Sequence, residues 1–293
     1  CYGIIALGGG SVIDSAKSVA LLSAHPGPLG QYAGHPEMVS ASSAPIIAIP
    51  TTAGTGSEVS RGGGIHPDAT SRGFSIGGDS LQPKRVICDP ELTLSLPPVL
   101  TAGTGMDALS HAIEGFISPL TNPPVDAIAL DAVRRVKRNI ERVVEDGSNR
   151  HARWQMMMAA LEGGMAISKG LGPAHAISLI CGDQGLHHGT LVTVAMPAVI
   201  RFAESTLSGQ GHGSDKMGRL AHAIGLRKGA DVAGEIERLN NAVGMPSTIA
   251  EMGYKMGDLD EMAEAAQIHR FNDTAPRRPS QGDYKTLLGE LLG

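Results

Sequence analysis

The apolar run from Tyr2 to Leu7 ends at Gly8-Gly9-Gly10-Ser11, and helical spacing follows from Val12 to about Ala24. Strand, glycine turn, helix is a narrow instruction. It suits a parallel sheet, whose ligands bind at the carboxyl ends of its strands. The pattern recurs. Pro45 to Ile49 reads as a second strand ending in Pro50-Thr51-Thr52-Ala53-Gly54-Thr55-Gly56-Ser57, and Arg85 to Cys88 as a third, closed by Asp89-Pro90. Cys1 to Leu7 reads as a strand already under way, without an initiator Met, so an upstream portion is expected to be absent.

Beyond Leu96-Pro97-Pro98 the strand signal stops. From Pro124 to Asp146, Val125, Ile128, Ala129, Ala132, Val133, Val136, Ile140 and Val143 fall on one helical face, with Pro at the start and Gly147 after the end. Met156 to Ile167, Asp215 to Gly225 and Ala230 to Val243 continue the helical trend. The expected fold is therefore an α/β domain over residues 1–98, with a parallel sheet truncated at its start. An all-helical domain follows over 99–293. At 293 residues two domains are the natural prior. With aromatics at 3%, the core must be aliphatic.

A net charge of −5 leaves no electrostatic footprint for nucleic acid or an anionic membrane, and the apolar runs are too short to span a bilayer. Cys1, Cys88 and Cys181 are far apart and lack metal-finger spacing, so a reduced, cytoplasmic setting is expected.

Gly8-Gly9-Gly10-Ser11 could admit phosphate oxygens to backbone N–H groups at a helix N-terminus. A turn capped by Ser11, with Asp14 completing a capping box, accounts for the same residues. The hydroxyl-rich Thr51 to Ser57 loop follows another strand, and two such loops would line one crevice. A surface turn is the plainer alternative there. Farther on, Asp107 and His111 lie one helical turn apart, where they could share a cation. Thr104 and Asp107 also fit a capping box, with His111 merely half-buried. His175, His187 and His188 sit among small and apolar residues. One carboxylate with three imidazoles suits iron(II) or zinc.

Taken together, Gly8-Gly9-Gly10-Ser11-x-x-Asp14-x-x-Lys17, Pro50 to Glu58, Asp89-Pro90-Glu91-Leu92-Thr93, Gly105 to Glu114 and His188-Gly189 resemble the iron-containing (group III) alcohol dehydrogenase family. The likeness runs from about Gly3 to Arg201 and more loosely to the end. It implies an α/β dinucleotide-binding domain over 1–98, an all-helical metal-binding domain over 99–293, and a metal-dependent oxidoreductase that moves hydride between an alcohol and NAD or NADP, with the active site in the cleft between the domains. It implies one divalent metal, Fe(II) ahead of Zn(II), on Asp107, His111, His175 and His188. It implies pyrophosphate binding around Gly9, Gly10 and Ser11, with Thr51, Thr52, Thr55 and Thr93 near the rest of the cofactor. A homo-oligomer and a small alcohol or aldehyde substrate are expected, with no nucleic-acid or membrane partner.

Two departures bear on the chemistry. Family members often carry a second His one turn after the third ligand, and Leu179 stands there instead. The stretch between the last two ligands is also short, so His187 is the candidate catalytic proton carrier, or an alternative ligand. Where a loop often supplies a cofactor-facing Lys, Arg72-Gly73-Phe74 stands, and no residue is carried over. A polyol, hydroxy acid or maleylacetate-type oxo acid is the alternative substrate. A non-catalytic cofactor-binding remnant is the alternative from another class.

Overall fold

The computed structural model describes residues 2–40, 43–65, 73–207, 215–255 and 257–293. Cys1 and Arg72 lie outside the described residues.

Strand β1 (Ile4–Gly8) leads into helix α1 (Gly10–Leu22) and returns as β2 (Ile46–Pro50). A hairpin of β3 (Gly62–Ile65) and β4 (Phe74–Gly77) follows, then the short β5 (Arg85–Val86). β1, β2 and β5 form one parallel sheet in that order, in the register Ile4 with Ile46 and Ala48 with Val86. The expected parallel sheet is present. The antiparallel β3–β4 hairpin was not foreseen, because Gly62-Gly63-Gly64 offers no side chains to pattern.

From Pro98 onward every described regular element is helical. α2 (Pro98–Ile117) is buried at every residue from Thr101 to Ile117, so it is the axis of the helical core rather than a surface helix. Around it pack α3 (Pro123–Glu145), α4 (Arg150–Ala166) and α6 (His188–Leu207), with the short α5 (Pro173–Ile180) against α6. α7 (Lys216–Ala223), α8 (Val232–Ala242), α9 (Leu259–Ile268) and α10 (Gln281–Leu292) complete the bundle. α3 keeps the amphipathic face read from its sequence: Ala129, Ala132, Val133, Val136, Ile140 and Val143 are buried, and the Asn122 side chain caps its start by accepting from Val125 N.

Two apolar clusters result. Ala6, Ile13, Leu21, Ile46 and Ile76 anchor one under the sheet, and α2 anchors the other. They meet through the loop after β2, whose Ala53 belongs to the helical cluster. Gly56 sits there at φ +61°, and a Cβ on it would lie 2.3 Å from Gly164 Cα, so only glycine fits.

Neither alternative capping box forms, for one reason: each helix begins earlier than its hydroxyl. Ser11 lies inside α1, whose cap is Gly9, and Thr104 lies two turns inside α2. Asp14 instead accepts hydrogen bonds from Ser57 Oγ and, at 2.9 Å, from Gly64 N. Lys17, fully buried, donates to Ser57 Oγ at 2.9 Å, Ser60 Oγ at 3.1 Å and Gly62 O at 2.5 Å. These two α1 residues therefore tie the first glycine turn to the β2 loop and the β3 hairpin. Burial opposes the Lys17 charge and lowers its pKa to about 8, although Asp14 and Glu58 favour it.

Candidate metal centre and nucleotide cleft

Asp107, His111 and Glu114 follow one another at i, i+4 and i+7 on α2, so they share a face pointing into the core. Asp107 Oδ1 lies 3.7 Å from Nε2 of His111 and 3.7 Å from Nε2 of His175, which α5 brings in. Both Asp107 Oδ1 and His175 Nε2 are buried without a hydrogen-bond partner among the described residues. Native interiors rarely leave such atoms unmatched. Two ligands of a tetrahedral ion at the usual bond lengths stand roughly 3.4 Å apart, close to the spacing found. Ligand atoms of Asp107, His111 and His175 can all lie within 4.8 Å of one another. The residues fit a cation.

The far side of each ring sets its orientation. His175 Nδ1 is 2.6 Å from Glu114 Oε2, and His111 Nδ1 is 3.3 Å from Gly54 O. Both acceptors require a proton on Nδ1, which leaves the Nε2 lone pair facing Asp107. His188, the first residue of α6, places Nδ1 3.1 Å from Ser178 Oγ, and its ring centroid lies 5.6 Å from that of His175. Ser178 already donates to His175 O at 3.1 Å, so it accepts from His188. Ser178 and Glu114 were missed as site residues from sequence. Glu114 was within reach, since it continues the Asp107 face by one turn. Ser178 was not, because only the fold brings it to His188.

Electrostatics separate these groups. Burial alone would raise the Asp107 carboxyl, but the surrounding His111, His175 and His188 hold it well below the usual carboxylate range. Burial lowers His111, and lowers His188 to about 4 against the pull of Asp107, so both are neutral, as ligands must be. His175 differs: burial would lower it, yet Glu114 and Asp107 raise it to about 9. A cation and that proton compete for one lone pair.

Asp107 and His188 also face a cleft of about 540 Å³, whose opposite wall is Gly9, Gly10, Ser11, Thr52 and Thr55. The two glycine loops touch, since a Cβ on Gly10 would lie 2.6 Å from Thr55 Cγ2. His187 lines the same cleft, and its Nδ1 accepts from Thr190 N at 3.3 Å, which places the neutral ring's proton on Nε2. The structure does not bring Thr51 and Thr93 to this wall. Thr93 is fully buried and donates to Pro90 O at 2.7 Å.

The Fe-containing alcohol dehydrogenase models match residues 1–90 and, for the C-terminal part, 101–292. A 4-hydroxybutyrate dehydrogenase of Cupriavidus necator is 43% identical, covering 100% of this chain and 78% of that protein. A 1,3-propanediol oxidoreductase structure superposes with a TM-score of 0.91 at 33% identity, over 99% of this chain and 77% of the other. A sulfoacetaldehyde reductase of Bifidobacterium kashiwanohense, solved with NAD+, gives 0.87 at 29% identity, over 100% and 77%. No helix among the described residues is long and apolar enough to cross a membrane.

Proposed function

The chain belongs to the iron-containing alcohol dehydrogenase family and is a metal-dependent oxidoreductase moving hydride between an alcohol and a nicotinamide cofactor, and we propose that it acts on the terminal hydroxyl of a short, anionic hydroxy acid. The facing orphan atoms Asp107 Oδ1 and His175 Nε2, beside a cleft walled by two glycine loops, carry the site assignment. The substrate class rests on two relatives. Both 4-hydroxybutyrate and sulfoacetaldehyde carry an anionic group at the end opposite the reacting carbon.

Asp107, His111, His175 and His188 would hold the metal, with Fe(II) ahead of Zn(II). When bound, it supplies Lewis-acid polarisation to an alcohol oxygen, and the cofactor supplies the hydride acceptor. The protein does the rest. Gly9 and Gly10 bring backbone close to the cofactor phosphates at the start of α1, with Ser11, Thr52 and Thr55 beside them. Thr51 N donates to Gly8 O at 3.0 Å, which joins the two loops, and Thr93 lies buried behind them. Glu114 and Ser178 fix the ring orientations of His175 and His188. His187, oriented by Thr190, moves the substrate proton toward solvent through its Nε2, in place of the histidine that Leu179 replaces. The division at residue 98, a cytoplasmic setting and a homo-oligomeric state belong to the same proposal.

The test is turnover by Fe(II)-loaded protein with NAD+ or NADP+ and 4-hydroxybutyrate, followed at 340 nm. Oxidation of the hydroxy acid supports the reading. Oxidation of ethanol or 1,3-propanediol alone would remove the substrate class, and cofactor binding without turnover of any alcohol would leave a binding remnant.

A further inference from the structure

All three N–H bonds of the buried Lys17 ammonium have acceptors, in Ser57 Oγ, Ser60 Oγ and Gly62 O. The two hydroxyls have committed their own protons elsewhere, Ser57 to Asp14 Oδ1 and Ser60 to Gly62 O at 3.0 Å. Every partner therefore offers Lys17 a lone pair. A neutral amine has two N–H bonds and would turn its own lone pair on one of these oxygens. The arrangement is built for the charged form.

Ser57 closes the loop that walls the nucleotide cleft. Its backbone N donates to Thr55 Oγ1 at 3.3 Å, and Thr55 sits against the glycine turn at Gly10. One residue back, a Cβ on Gly9 would lie 3.1 Å from Thr52 Cγ2. Gly9, Gly10, Thr52 and Thr55 all line the cleft, and Lys17 projects from the helix that the glycine turn opens. A short path of contacts thus runs from the ammonium through Ser57 and Thr55 to the cofactor wall.

The charges that face Lys17 are Asp14, on its own helix, and Glu58, on the loop, both raised by burial. β1, β2 and β3, which pack against α1, carry no titratable side chain. Asp79, between β4 and β5, is paired with Arg61 at 3.0 Å. Burial brings Lys17 down to about 8 against the pull of its two carboxylates. The clamp is therefore charged at neutral pH and loses its third donor as pH rises through about 8.

We propose that Lys17 is a positioning residue for the cofactor: as an ammonium it holds the Thr55–Ser57 end of the loop at the spacing from Gly9 and Gly10 that the nicotinamide dinucleotide requires. Cofactor affinity, and not the hydride step, depends on its proton. This rests on the reading that places the cofactor phosphates at the glycine turn.

The test is binding of NAD+ (or NADP+, whichever wild type prefers) to the full-length, Fe(II)-loaded protein, followed by calorimetry from pH 7 to 9. Wild-type Kd should rise about five- to tenfold over that range. Lys17→Met combined with Asp14→Asn removes the ammonium together with the carboxylate beside it. Its Kd should stand about tenfold above wild type at pH 7 and stay nearly flat to pH 9. In turnover, KM for the cofactor should rise likewise, with kcat at saturating cofactor within about twofold. Ser57→Ala cuts the same path by a smaller change and should also raise Kd and flatten the slope, so the test survives a double variant that does not fold. A wild-type Kd flat from pH 7 to 9, or a slope that persists in both variants, would overturn the proposal. So would a loss of kcat with cofactor KM unchanged, which a purely structural network would give. Gly10→Ala leaves the network in place and separates the two readings. If it too leaves cofactor affinity unchanged, the placing of the phosphates at the glycine turn falls with the proposal; if it alone weakens binding, only the role of Lys17 falls.

Discussion

Glu114 Oε2 lies 2.6 Å from Nδ1 of His175, and the same carboxylate accepts from Gly172 N at 2.7 Å and Ala174 N at 2.9 Å. One buried side chain thus holds the start of α5 and aims the imidazole on it toward Asp107. Glu114→Gln keeps the shape but removes the charge that fixes the ring's tautomer. Metal affinity, measured by competition with a chelator, should weaken about 10- to 100-fold. An unchanged affinity would make Glu114 a helix cap only.

His175 makes metal uptake pH-dependent. Its pKa is raised to about 9, so in the metal-free protein it carries a proton at neutral pH that a cation must displace. Calorimetry in buffers of different ionisation enthalpy should show about one proton released per metal near pH 7.5. Affinity should climb toward pH 9 and then level. The sign for stability of the metal-free fold is opposite on the two sides of the ordinary histidine value. His175 contributes stability that is complete below about 6.5 and lost as pH rises through about 9. His188, lowered to about 4, is bound more weakly to its proton in the fold than in the unfolded chain, so stability rises from about 4 to 6.5. Denaturation of apoprotein should therefore show a maximum near pH 6.5, and a maximum near pH 9 would reverse the His175 assignment.

Lys17 is a buried charge whose removal strands others. Lys17→Met leaves the buried Glu58 and the partly buried Asp14 without it, and should destabilise the fold by about 3 kcal/mol or more in urea. Adding Asp14→Asn should restore part of that loss. Equal stability of Lys17→Met and wild type would mean that the network is bypassed by water.

At the nucleotide cleft, the contact between Gly10 and Thr55 leaves no room for a side chain. Gly10→Ala should push the two loops apart and raise KM for NAD+ about tenfold, since displacements of this order disrupt positioning. Thr55→Gly in the same protein should recover part of it. Direct binding of NAD+, read by calorimetry, separates this from a folding defect.

Much of this was legible in the sequence where local pattern and placement coincide. The parallel strands follow from apolar runs meeting glycine turns, and the α3 face from its 3.6-residue period. Asp107 and His111 share a turn, so their pairing was readable, whereas the meeting of His175 with them was carried only by family resemblance. Long-range placement was the illegible part. A cap closed by Asp14 on its own helix is the local alternative its spacing offers, yet its partners are Ser57 and Gly64, brought by the β2 loop and the hairpin.

Metal content of protein loaded with Fe(II) under anaerobic conditions, set beside alcohol oxidation with NAD+, tests the central claim most directly. Wild type should hold about one iron per chain and turn over. Asp107→Ala, His111→Ala, His175→Ala and His188→Ala should each lose both, while His187→Ala keeps the iron and loses rate. Full iron occupancy in the Asp107→Ala and His175→Ala variants would contradict the account, because the two facing buried atoms would then not be its ligands.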